Sequence, residues 1–342
     1  MIPLRADILD NDLTLVYIGV RIGLEQGWSH IYSLPLQHEL FLQLRPHGDF
    51  NDGARFISPP VYAWLVLPIT LLGATAAVYA WLAISVAALV AAWWIAAPGS
   101  GSRKAVWLLA AFAWYPVLYN VSLVQPALVV VFLVALARRL AEGNRPYLAG
   151  VVLGLSVIKP QLTLLLPLVL LFAGRWKIFV GWAATAAVLA AASLVAIGTQ
   201  GLNDYLSLLN EAQQVANNRY FTLAYVLGPG SLSYIAQGIV IGVAIIAAYL
   251  NRKAGHARVF ALGLVATAFG ATYWHLQDYA VLVPAAWLFW GENPRTALRW
   301  LLLVIVIAGE FAWPLAPLPL LVGVGVWFAA LSTPARTSPV AA

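Results

Sequence analysis

Cysteine is absent from the 342-residue chain, and charge is scarce: Asp, Glu, Lys and Arg together make up 9% of it. The first absence removes disulfides, thiolate metal sites and a cysteine nucleophile. The second removes more. A soluble domain carries about 25% charged residues, so most of this chain cannot face water, and a soluble globular enzyme and a disordered chain are both excluded. The net charge of +6 is scattered over short connections and not gathered into the stripe that nucleic acid requires, so no nucleic-acid partner is expected. Apolar residues are plentiful: 62% of the chain is hydrophobic, with 15 Trp and 14 Tyr, types that favour the membrane–water interface. The composition specifies an all-α polytopic membrane protein, surrounded by membrane lipids.

Apolar runs recur at 74–97, 105–119, 120–137, 147–158, 160–173, 178–198, 232–250, 259–274, 279–290, 300–313 and 316–331. Crossing a ~30 Å hydrocarbon core takes about 20 helical residues, so the runs of 12 to 15 residues are short unless their polar ends sit at depth against a protein-lined cavity. Pro116, Pro126, Pro160 and Pro167 interrupt or bound several of them. Basic residues fall on every second connection: Arg103 and Lys104; Arg138, Arg139 and Arg145; Arg175 and Lys177; Arg252, Lys253 and Arg258; Arg295 and Arg299. With Arg336 these segments hold thirteen of the nineteen Lys and Arg but only Glu142 and Glu292 among the acids, which assigns them to the cytoplasm. The alternate connections hold eleven of the thirteen acids and face outward. The alternation is clean from residue 74 onward; the segment 57–73 breaks parity, as a half-embedded helix returning to the outer surface or as one more span.

Three regions follow. Residues 1–56 form an outer segment with short amphipathic helices, 57–331 a transmembrane helical domain with an outer piece at 199–231, and 332–342 a Pro- and Ala-rich tail expected to be disordered. The outer piece keeps a helical period through Ala216 and loses it at Asn217 and Asn218, reading as an interfacial helix plus a loop that covers a site. Residues 1–56 carry five Asp, two Glu, three His and four Arg. Moving them outward needs a hydrophobic leader, so the expectation is that a first transmembrane helix is missing ahead of Met1.

Four stretches carry a family resemblance. The string NDLTLVYIGVRIGLEQGWSHIY (11–32) supplies an Asp, a hydrophobic residue, a Tyr, a Gly and a later Tyr at Asp12, Leu13, Tyr17, Gly27 and Tyr32. RFISPPVYAWLVLP (55–68) has an aromatic–Pro–Pro core, NRPYLAGVVLGLSVIKPQLTLLLPLVLLFAGRWK (144–177) an Ala-Gly…Lys-Pro block, and HLQDYAVLVP (275–284) a His…Tyr…Pro order. In this order and spacing they resemble the polyprenol-phosphate-sugar-dependent glycosyltransferases of family 87. Two features depart from the pattern: the helix that normally precedes the Asp is absent, and the family's Gly-Gln-x-Asn signature reads Val124-Gln125-Pro126-Ala127. The resemblance implies a GT-C membrane fold of about 10–12 transmembrane helices, less the first. It also implies transfer of a hexose, mannose by analogy, from a polyprenyl-phosphate donor to a lipid or glycan acceptor. The site would lie on the non-cytoplasmic side of the cell membrane.

Such a transfer needs a base for the acceptor proton and cationic or hydrogen-bonding groups for the departing phosphate. One carboxylate suffices for inversion, whereas retention needs a second as nucleophile about 5 Å away. By position Asp12 opens an amphipathic helix and stands where an N-cap would; the resemblance makes it the general base. Asp10 and Asp12 also form an Asp-x-Asp, which in soluble sugar transferases holds a metal with a nucleotide diphosphate. No Gly-rich phosphate loop or soluble nucleotide-binding domain accompanies it here, which favours a lipid donor; a divalent metal is not indicated and no cofactor is certain. Lys159 stands alone between two apolar runs, where an intramembrane charge costs about 2.5–3.5 kcal/mol on insertion scales, and a lipid phosphate is its natural partner; snorkelling is the alternative. His275 and Asp278, at i and i+3, read as a phosphate donor and its orienting partner, or as an interfacial polar pair. Arg55 is a further phosphate candidate or an interface anchor, Gln125 and Gln161 are hydrogen-bonding candidates, and Tyr17 a supporting one. His30, His38 and His47 are too irregularly spaced for zinc. A secondary transporter, a lipid-linked glycan polymerase or ligase, and a structural membrane protein are the competing readings; no internal repeat of the transporter kind is visible.

Overall fold

The computed structural model describes residues 7–51 and 53–334; most of the tail read as disordered lies outside the described residues. Within them the regular structure is helical: α1 (Asp12–Glu25), α2 (Leu34–Leu44), α3 (Pro60–Thr70), α4 (Ala74–Ala96), α5 (Gly101–Ala113), α6 (Tyr115–Ser122), α7 (Ala127–Glu142), α8 (Pro146–Gly154), α9 (Leu166–Phe172), α10 (Trp176–Gln214), α11 (Ala224–Leu227), α12 (Ser231–Leu250), α13 (His256–Gly270), α14 (Leu282–Gly291), α15 (Thr296–Phe311) and α16 (Leu318–Ser332).

Each apolar run is largely helical, but few of the helices are long. Among the described residues α4, α10 and α12 have the length and apolarity to cross a membrane, and α5 with α6 makes a fourth only if their 59° bend is counted as one broken span. The others are cut by proline and by local 3₁₀ turns. Helix α8 runs into a 3₁₀ turn at Leu155–Ile158, and a second turn at Pro160–Thr163 leads into α9. Lys159 stands between them with φ −144° and ψ 76°, outside the α region that a following proline disfavours. Each arm has about 13 residues and reaches about 20 Å, short of a hydrocarbon core. Helices α13 and α14 form a second such hairpin, joined through a 3₁₀ turn at Leu276–Val281. Helix α3, with 11 residues, is about 16 Å long and also too short to span. Helix α10 continues past the expected end of its run to Gln214 through Gly198, whose φ of 60° and ψ of −168° kink it at a conformation glycine adopts without penalty.

Two packing features hold the hairpins in place. Helix α13 is buried on every side from Val259 to Ala268, as a helix apolar all round its circumference should be. Helix α8 lies backbone-to-backbone on α10 through Gly150 and Gly154: a Cβ on Gly150 would stand 2.1 Å from the Ile178 carbonyl oxygen, and one on Gly154 would stand 2.5 Å from Thr185 Cβ. Small residues four apart permit this close approach in membranes, where packing replaces the hydrophobic effect as the driving force. The fold is therefore a helical bundle whose broken hairpins bring several connections to one end.

Candidate active site

Four of those connections and the start of α1 meet. The cap of α1 is Asn11 and not Asp12: Asn11 Oδ1 accepts the Thr14 N–H at 3.1 Å. This corrects the expectation that Asp12 occupies the capping position. Asp12 is the first helical residue, and its own N–H donates to the Leu123 carbonyl at 3.1 Å, which ties α1 to the end of α6. With capping done by its neighbour, the Asp12 carboxylate accepts from Gln125 Nε2. Gln125 is aimed there by a strained turn, because Val124 before it has φ 55°, an outlier for a β-branched residue that costs of order 1–3 kcal/mol.

Gln125 uses its other end as well, its Oε1 accepting from Lys159 Nζ at 2.7 Å. The same ammonium donates to Asp278 Oδ1 at 2.5 Å, and the two side chains are 10% and 0% exposed. Asp278 Oδ2 accepts the His275 backbone N–H at 3.1 Å and lies 3.9 Å from His275 Nδ1. His275 Nε2 is 2.9 Å from Asn218 Oδ1, and the Asn218 carbonyl accepts the Trp274 N–H. One continuous polar chain thus runs Asp12–Gln125–Lys159–Asp278–His275–Asn218, built from residues more than 260 positions apart. Ser156 Oγ and Thr163 Oγ1, 2.7 Å apart, clip the two sides of the Lys159 break together, so that the freed backbone and the charge are held by protein groups. Burial pushes the His275 imidazole below its ordinary range, against the pull of Asp278, and Lys159 adds to the lowering. Tyr273 lies edge-on to the His275 ring at 4.9 Å.

The remaining candidates stand apart from this chain of contacts. Arg55 Nη1 pairs with Glu211 on α10 at 2.6 Å. Asp10 pairs with Arg45 at 2.9 Å, so the two acids of the Asp-x-Asp are turned to different partners. Tyr17 accepts from Arg21 at 3.3 Å, and Gln161, half-buried, makes no hydrogen bond among the described residues. No group of three or more His, Asp or Glu with the geometry to hold a metal occurs among those residues. Asn218 and Tyr273 were not singled out from the sequence. For Asn218 a signal was present, the loss of helical period at 217–218; for Tyr273 there was only its nearness to His275.

A buried lysine compensated by a fully buried aspartate, at the meeting point of broken helices, gives this polytopic membrane protein a polar cluster at an end of its bundle. The chain matches the model of glycosyltransferase family 87 over residues 56–310. It belongs to that family and is a glycosyltransferase, which sets aside the transporter and structural readings. Gln125, Lys159, His275 and Asp278 lie within the matched span and Asp12 lies before it. No curated protein and no solved structure gives a significant match.

Proposed function

We propose that this glycosyltransferase moves one hexose, mannose by family analogy, from a polyprenyl-phosphate donor to a hydroxyl of a lipid or glycan acceptor. The reaction would run in a GT-C-type fold at the non-cytoplasmic face of the cell membrane. The observation that carries the reading is the polar chain joining Asp12 to Lys159. Asp12 is the general base: its carboxylate takes the acceptor proton as the hydroxyl oxygen attacks the anomeric carbon, and the bond to the phosphate oxygen breaks with its electron pair leaving on phosphate. Lys159 donates hydrogen bonds to that phosphate, His275 Nε2 joins it when the phosphate takes the place of Asn218 Oδ1, and Gln125 spaces base and cation. Asp278 is fully buried and already shared by Lys159 and the His275 backbone, which supports its being a positioning residue and not a nucleophile. With one reachable carboxylate the reaction inverts. The network carries two carboxylates against one ammonium. A phosphodiester adds a further negative charge, which favours a proton on His275 Nδ1, where it faces Asp278.

The test is incubation of purified protein with radiolabelled polyprenyl-phosphate sugars and a membrane lipid extract. Wild type transfers label. Asp12→Asn, isosteric and still able to meet Gln125, loses about 10²–10⁴-fold in kcat while melting as wild type does and binding donor. Lys159→Ala raises the apparent KM for donor. Unchanged turnover in Asp12→Asn removes the mechanism.

A further inference from the structure

A second group of side chains adjoins the polar chain without belonging to it. Tyr115, Ile307, Glu310, Phe311, Trp313 and Pro314 line a cavity of about 570 Å³, in the size range of small-ligand sites. Its lining rings Tyr115 and Trp313 continue into Tyr119 and Phe221 behind them. Tyr115 stacks on Tyr119 with centroids 5.8 Å apart, Tyr119 meets Trp313 at 6.4 Å, and Trp313 stacks on Phe221 at 6.0 Å. The same short segment reaches the polar chain, with Asn218 against His275 and the Phe221 carbonyl accepting from the Tyr279 hydroxyl at 3.1 Å. Through Phe221 the cavity is linked to the segment that meets His275 and Tyr279, and Trp313, 51% exposed, is open to a ligand.

An interfacial aromatic belt would explain the tryptophan, but not the acid beside it. Glu310 sits in the last turn of α15, whose dipole disfavours a negative charge, and faces the N-terminus of α6, whose dipole favours one. One of its oxygens accepts the Tyr115 N–H at 2.9 Å, at the start of α6; the other makes no hydrogen bond within the described residues and is left for a ligand. An aromatic face beside an acceptor-only carboxylate suits a pyranose. The C–H-rich face of the ring, weakly positive, lies on the negative π-face, and its hydroxyls donate to the carboxylate.

We propose that this cavity is a pyranose subsite, holding a sugar ring of a membrane-anchored acceptor glycan while another hydroxyl of the acceptor reaches Asp12; the inference rests on the glycosyl-transfer reading above. Trp313 supplies the stacking face and Glu310 the hydroxyl acceptor.

The experiment uses the full chain in lipid nanodiscs, titrated with methyl α-D-mannopyranoside, methyl β-D-glucopyranoside and methyl β-D-galactopyranoside, and reads tryptophan fluorescence and saturation-transfer NMR. At least one glycoside saturates wild type. Trp313→Ala weakens that binding about 5–10-fold, and Trp313→Phe restores part of it. Glu310→Gln keeps an oxygen for the Tyr115 N–H and weakens binding about fivefold. Lys253→Ala, at the opposite end of the bundle, leaves it unchanged. Failure of all three glycosides to bind wild type, or wild-type binding by Trp313→Ala, overturns the subsite. A turnover arm separates the two readings. If glycosides bind at Trp313 but no polyprenyl donor is consumed, the subsite stands and the transfer reading fails. An active enzyme whose acceptor KM is the same in wild type and Trp313→Ala overturns the subsite alone.

Discussion

The pairing of Lys159 with Asp278 sets the sharpest energetic expectation. Their side chains are 10% and 0% exposed and meet at 2.5 Å, so each is the compensation for burying the other. Removing one partner leaves an uncompensated charge in a poorly polarisable surrounding, which costs about 3–5 kcal/mol, whereas replacing both with apolar residues of similar volume is close to neutral or stabilising by about 1–4 kcal/mol. Lys159→Met and Asp278→Leu should therefore each destabilise strongly, with the double variant recovering most of the loss. The recovery is incomplete because Asp278 also accepts the His275 N–H, a bond worth about 1 kcal/mol. Urea unfolding in mild detergent, followed by the emission of the 15 tryptophans, gives the four corners of the cycle. All three variants should be inactive, so that stability and activity part company in the double variant. Single-variant losses below about 1 kcal/mol, as for an exposed ion pair, would refute the reasoning; so would a double variant as unstable as the sum of the singles.

Two further expectations follow from the structure. Gly150→Ala places a methyl where the Ile178 carbonyl oxygen would stand 2.1 Å away. Backbone cannot give as a side chain can, so the variant should lose about 1–3 kcal/mol or more, measured by the same unfolding assay, and should disturb Lys159 at the far end of that hairpin. His275 gives a pH dependence. Its pKa is held below the ordinary value by burial, so the neutral ring's contribution to stability is complete above about pH 6.5 and is lost as pH falls through the lower folded-state value. Wild type should lose stability relative to His275→Gln as pH falls below about 6.5, and parallel curves would count against the burial argument.

Much of the architecture can be read from the chain because bilayers punish charge. The alternation of Arg and Lys clusters with acidic connections orders the runs, and Lys159 is conspicuous because nothing charged surrounds it in sequence. Asp12, Gln125, Lys159, His275 and Asp278 were all candidates by residue type and position, yet their joining is a tertiary fact. No spacing rule connects Gln125 to both Asp12 and Lys159; a strained Val124 does so. The capping role fell to Asn11 because a cap is decided by backbone geometry at one residue, and Asn and Asp are equally good at it. Arg55 looked like a phosphate ligand because Glu211 is remote in sequence. The prolines announced breaks, but the lengths of the resulting arms depended on 3₁₀ turns that no proline marks.

The broken helices themselves bear on how a lipid-linked substrate is handled. Helices α4 and α12, with 23 and 20 residues, are about 30–35 Å long, while the arms meeting at Lys159 are about 20 Å. On the proposed topology, a hairpin that starts level with its full-length neighbours at the basic connections ends short of the level they reach, so its apex would lie in a depression. Irregular backbone at that depth is tolerated only where protein or water satisfies it. The Ser156–Thr163 clip, the 3.0 Å bond from Lys159 N to the Ser156 carbonyl and the Asp278 side chain on the His275 N–H do so here. On the proposed reading, the depression lets a donor keep its polyprenyl tail in hydrocarbon while its phosphate descends to a lysine that never leaves the bundle. The buried Asp278 is then the cost of keeping that lysine charged before the phosphate arrives.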